Sequence, residues 1–170
     1  MELARRACQI LQEQHAKLGR AWFQSYDWGE FAKGVRHILE GGSVLLCVDQ
    51  ERAWFKHYVL AHLNAKKLRP LVPIVDGLLG YAPLLPDSRE WPVIGDLLDL
   101  TYRNYMFWYV GKEGDLSEWI SNKAHFLWLL DAKKGLLSAQ DPLLDLKLLQ
   151  LYRVFESVLF ESMLGQLGSQ

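Results

Sequence analysis

The chain has 170 residues, half of them hydrophobic and 12% aromatic, enough for one domain spanning residues 1–170 with a substantial core. Its net charge is −1, so the whole-molecule field that gathers nucleic acid is missing and direct nucleic-acid binding is not expected. The two cysteines, Cys8 and Cys47, read as free thiols of a reducing compartment, and no apolar run reaches membrane-spanning length.

The N-terminal segment "MELARRACQILQEQHAKLG" is interrupted by charge every few residues and has no leader-like apolar core. A cytoplasmic protein without a membrane segment is therefore expected. Residues 2–18 place Leu3, Ala7, Ile10, Leu11 and Leu18 on one helical face. A second helix is expected over 28–40, with Phe31, Val35, Ile38 and Leu39 at the same period. Gly41 and Gly42 end it, because glycine accepts the left-handed C-cap conformation. "SVLLCV", Ser43–Val48, is short, apolar and continuous, as in a strand buried on both faces. Asp49 is then the natural N-cap of a helix over 50–63.

"RPLVPIVD" is the second strand, and Pro73 puts it at a sheet edge because proline cannot donate to a ladder. Residues 77–95 form a long connection rich in Gly and Pro, followed by a short helix over about 94–102. "YMFWYVG" is a third strand, "SEWIS" a helical turn and "HFLWLLD" a fourth strand. Asp141 and Pro142 open a final helix that runs to about Met163. Its apolar residues cover more than one face, leaving a polar stripe through Lys147, Gln150, Arg153 and Glu156, so it is either central or shared with another subunit, and a contribution to a subunit contact is expected. Strands alternating with helices predict an α/β fold. The expected form is a three-layer sandwich, a Rossmann-type parallel sheet of about four strands with helices on both faces.

Strand, tight turn, helix is how many nucleotide- and phosphosugar-binding folds begin, and their turns are rich in Gly or Ser so that backbone N–H groups cradle a phosphate. Here the turn reads Asp49, Gln50, Glu51, Arg52. It has no glycine, and two carboxylates occupy the place of a phosphate and would repel one. No small-molecule substrate or cofactor is expected there. Asp49, Asp76 and Asp131 each end an apolar strand and suggest an alternative: a small Mg-dependent hydrolase or phosphatase with converging aspartates. Caps on the following helices or turns explain the same residues better, since no Lys, Ser or Thr phosphate handle accompanies them at motif spacing. His57 and His62 are five apart, which does not align a metal pair, and no Cys-x-x-Cys or Gly-x-Ser-x-Gly occurs. No metal is expected.

Five segments carry a resemblance: "LEGGSVLLCVDQERAWFKHYVLAHLN", "LRPLVPIVD", "LTYRNYMFWYVGK", "HFLWLL" and "DPLLDLKLLQLYRVFESVLF". With them the chain resembles the HobA family of regulators that bind the bacterial replication initiator DnaA. The resemblance implies a sugar-isomerase-like fold without isomerase activity. It also implies a homotetramer that presents copies of the DnaA N-terminal domain to one another and promotes initiator assembly at the origin. The related DiaA regulators keep a Gly- and Ser-containing turn where this chain has Asp49-Gln50-Glu51-Arg52, so the scaffold looks retained and the cradle lost. Local matches to DiaA imply DnaA contacts at Arg69, before Pro70, and at the pair Leu159 and Phe160, which is expected near the surface at the end of the last helix. The N-terminal helix also contributes in DiaA, but no single position of residues 1–20 can be matched.

Overall fold

The structure, a computed structural model, describes residues 28–67, 69–132 and 137–165, so the helix expected over 2–18 lies outside the described residues. Helix α1, Trp28–Leu39, buries Phe31, Val35 and Ile38 at helical spacing, while Leu39 is exposed. It ends as the glycines require. Gly41 takes φ +85°, and the N–H groups of Gly41 and Gly42 donate to the carbonyls of Ile38 and His37 at 3.0 and 2.9 Å.

Strand β1, Ser43–Val48, pairs in parallel with β2, Ile74–Val75, on one side and with β3, Tyr105–Lys112, on the other. β3 pairs in parallel with β4, His125–Leu130, giving the order β2-β1-β3-β4. β2 lies at the edge as expected but keeps only two residues of "RPLVPIVD". Pro70 and Pro73 have no N–H, and the Val72 backbone is bonded on both sides to the Asn64 amide instead. The other edge is blunted by a carboxylate: the Leu127 N–H of β4 donates to Glu30 Oε2 of α1 at 3.2 Å.

Strand alternation divides the core in two. Val44, Leu46, Trp108, Val110, Phe126 and Trp128 face one side, under α1, α2 (Ala53–His62) and α5 (Leu144–Met163). Leu45, Cys47, Phe107 and Tyr109 face the other, under α3 (Trp91–Thr101) and α4 (Asp115–Ser121). α5 begins at Leu144 rather than at Pro142, because Asp141 caps the preceding turn by accepting from the Leu143 N–H at 2.8 Å. Its wide apolar circumference is explained within the fold. The helix is about 30 Å long, lies on the sheet, touches both α1 and α2, and buries Leu144, Leu148, Leu151, Tyr152, Phe155, Leu159 and Phe160. At its centre Trp108, Trp128, Phe55 and Tyr152 meet edge to face, with Trp108 and Trp128 centroids 4.8 Å apart.

Candidate functional site

Ligands of open parallel sheets bind beyond the carboxyl ends of the strands, where the strand order reverses. In the order β2-β1-β3-β4 that point lies between β1 and β3. Asp49, one residue past β1, spans it. Its carboxylate accepts from the Lys112 N–H at the end of β3 (3.0 Å), from the Arg52 N–H (3.1 Å) and from the Arg52 guanidinium (3.3 Å). Arg52 is 4% exposed and turned inward, paired with Asp49 and with Glu51. Glu51 stays at the surface and also pairs with the Lys112 ammonium at 3.2 Å. Hydrogen bonds first from Lys112 and then from Arg52 hold its carboxyl below the usual range. A Cβ at Gly111 would stand 2.7 Å from the Tyr109 hydroxyl and 2.8 Å from Asp49 Oδ2, so a larger residue there would push the Tyr109 or Asp49 side chain out of place. Burial and then the Asp49 carboxylate push the Tyr109 hydroxyl up to about 12. The backbone donors that would hold a phosphate are taken by the protein's own carboxylate.

The three strand-end aspartates do not share a centre. Asp49 caps the 3-10 turn Gln50–Arg52, and Asp76 pairs with Lys56 of α2. Asp131, at φ 58°, accepts from the Ser138 hydroxyl and the Ala139 N–H at 2.8 and 3.0 Å, and these bonds lower its pKa. No group of three or more His, Cys, Asp or Glu among the described residues is placed to hold a metal ion. His62 stacks on Tyr58 at 4.1 Å and its Nδ1 meets the Tyr58 carbonyl. Cys47 is buried, and burial raises its thiol far above the ordinary range, which makes it a poor nucleophile.

Arg69, Leu159 and Phe160 lie at the opposite end. α2 runs from the carboxyl end of β1 back to the amino end, and α5 runs the same way from β4. They bring the segment before β2 against the last turns of α5. The Arg69 guanidinium stands 4.4 Å from the Phe160 ring centroid and donates to Glu156 at 3.0 Å. The exposed apolar pair expected there is corrected. Leu159 is fully buried and Phe160 is 4% exposed, because both turn toward the sheet with Tyr152 and Phe155. Glu156, expected on the polar stripe, is also buried, at 3%. It accepts from Arg69 and from Arg153 (3.0 Å) and pairs with Lys66 at 3.6 Å. Sequence reasoning missed Glu156, Lys66, Arg153 and Lys112. Only the i, i+3 spacing of Arg153 and Glu156 is a local signal for any of them.

The comparisons with known proteins fit this architecture. The family model "HobA: DNA replication regulator" matches residues 2–168. The chain belongs to the HobA family. It is 39% identical over 137 residues to the DNA replication regulator protein HobA of Helicobacter pylori, strain ATCC 700392 / 26695, covering 76% of this chain and 74% of that protein. Two crystal structures are similar to it, each over 98% of this chain and 94% of the other. One is HobA from Helicobacter pylori, at 32% identity and a TM-score of 0.73; the other is a HobA-DnaA (domain I-II) complex from Helicobacter pylori, at 31% and 0.71.

Proposed function

We propose that the chain is a non-catalytic cytoplasmic adaptor, a single domain, that binds the N-terminal part of the initiator DnaA and promotes its assembly at the replication origin. The observation that carries this is the likeness over 98% of the chain to a relative crystallised with DnaA domain I–II. The filled crevice supports it: the place where a sugar-isomerase-like fold would take its ligand is occupied by Asp49, Arg52 and Lys112. Arg69 is the contact at the surface, Phe160 is the packed floor beneath it, and Leu159 lies buried in the core.

Self-association into a homotetramer belongs to the same reading. α3 is apolar on both sides: Trp91, Ile94 and Leu98 face the sheet, while Val93, Leu97 and Leu100 form a second stripe that is exposed. A monomer has no use for that stripe, and a second copy would cover it. Calorimetry with DnaA domain I–II tests the adaptor reading, and light scattering tests the tetramer. Micromolar or tighter binding to DnaA, with no heat from ATP, NAD or phosphosugars and no gel shift of origin DNA by the chain alone, is expected. Absence of DnaA binding by the folded chain overturns the proposal.

A further inference from the structure

Lys66, Arg69 and Arg153 are one-third to one-half exposed, and all three pair with the one buried carboxylate of Glu156. Among the described residues, three cations against one anion leave two positive charges without a paired carboxylate. Among the described residues no other carboxylate pairs with any of the three. A buried carboxylate is costly unless it is bonded, and among the described residues its partners are side chains at the rim. Each Glu156 oxygen takes one guanidinium, Oε1 that of Arg69 and Oε2 that of Arg153, so the two planar groups are fixed side by side. Phe160 supports the Arg69 plane from below. A guanidinium held in this way keeps donors free on its outer edge and spends little entropy on binding.

We propose that Glu156 is a positioning residue that sets Arg69 and Arg153, with Lys66, as a cationic fork, and that this fork recognises a carboxylate-bearing face of the DnaA N-terminal domain. The inference rests on the adaptor reading and adds the chemistry of the contact. A protein face fits better than duplex DNA, because three cations make few phosphate contacts compared with the roughly six to ten of a typical DNA-binding surface. The fork is also compact and has an aromatic floor.

The test is calorimetry of the full chain with DnaA domain I–II at low and physiological salt. Variants are Arg69→Ala, Glu156→Gln, their double and Glu156→Asp, each with a melting temperature. Each of the first two is expected to weaken binding roughly tenfold, and the double no more than about twice that, because Glu156→Gln already takes the Arg69 guanidinium out of position. Glu156→Asp, which keeps the charge, is expected to recover part of the loss, and added salt to weaken the parent several-fold. Should Glu156→Gln fail to fold, Arg153→Glu and Lys66→Glu at exposed positions carry the test, with losses of at least about tenfold expected. Glu156→Gln that binds like the parent with only a lower melting temperature overturns the inference. So do multiplying losses in the double, or a gel shift of DNA that depends on the fork; in these cases the adaptor reading stands. A parent that binds no DnaA removes both.

Discussion

The two ends of the sheet use the same chemistry with opposite orientation. At the carboxyl end the cation is buried: Arg52 has a side chain 5% exposed, while its partner Glu51 is 65% exposed. At the amino end the anion is buried: the Glu156 side chain is 5% exposed, while those of Arg153 and Lys66 are about half exposed. The surface therefore shows a carboxylate at the carboxyl end, where a phosphate ligand would dock, and guanidinium groups at the amino end. A groove beside the filled crevice, lined by Glu51, Arg52, Asp141 and Asp145, continues the acidic character of that end. Burial decides which sign each cluster shows to solvent, and that sign decides which partner approaches.

The largest effect expected from breaking this comparison comes from the floor of the amino end. Phe160→Ala should lower unfolding free energy by about 3–5 kcal/mol, because the ring is buried and packed among α5, the sheet and Arg69. Urea denaturation measures it. A cost under about 1 kcal/mol would show that Phe160 is not part of the core. Next is the carboxyl end. Asp49→Ala removes the acceptor of two backbone N–H groups and leaves the buried Arg52 with Glu51 alone. The expected loss is about 3 kcal/mol. Affinity for DnaA per folded molecule should not change, since the fork lies at the other end. An Asp49→Ala chain that folds as stably as the parent but loses DnaA binding reverses the assignment of the two ends.

The carboxyl end was legible in the sequence because its chemistry is local. Asp49, Glu51 and Arg52 are adjacent, follow an apolar strand and lack glycine, so the turn declares itself. Only the closing residue, Lys112, comes from elsewhere, 63 positions along the chain. Strand and helix assignments were legible for the same reason, since apolar runs and Gly-Gly punctuation are local signals. The amino end was legible only in part. Arg69 and Glu156 are 87 positions apart, and nothing in either neighbourhood signals the pair. Glu156 reads as polar stripe because helical spacing places it with Lys147, Gln150 and Arg153, yet the stripe turns inward where α2 ends and the Arg69 segment covers it. Leu159 and Phe160 read as surface because they are near a helix end, but α5 lies on the sheet through to that turn.

A smaller effect on stability, with a separate readout, tests whether a third region must enter the comparison. The outer stripe of α3 belongs to the other layer and touches neither end's cluster. Leu100 is 82% exposed, so Leu100→Asp should change unfolding free energy by less than about 0.5 kcal/mol. It should reduce the particle mass seen by light scattering, because a charge would be buried between copies. Binding of DnaA by each chain should persist if the fork acts within one subunit. Loss of binding together with loss of mass would mean that the partner site is completed by a second copy.

The smallest expected effect is acid weakening of the carboxyl end. Glu51 and Asp131 are both held below the usual carboxylate range by hydrogen bonds, Glu51 first by Lys112 and Asp131 first by Ser138. A carboxylate whose folded pKa is depressed stabilises the fold while it is ionised in both states. Its contribution is complete above the ordinary value of about 4 and is lost as pH falls through the lower folded value. Glu51 is largely exposed, so screening keeps its contribution small. The urea midpoint of the parent should be flat from neutral pH down to about pH 5 and then fall. Glu51→Gln should start slightly lower and fall less, so the two curves converge in strong acid, once the pH lies below the lowered folded value of Glu51. A difference that stays constant into strong acid would assign the Glu51 effect to packing rather than charge. The ion network would then not be what holds the crevice filled.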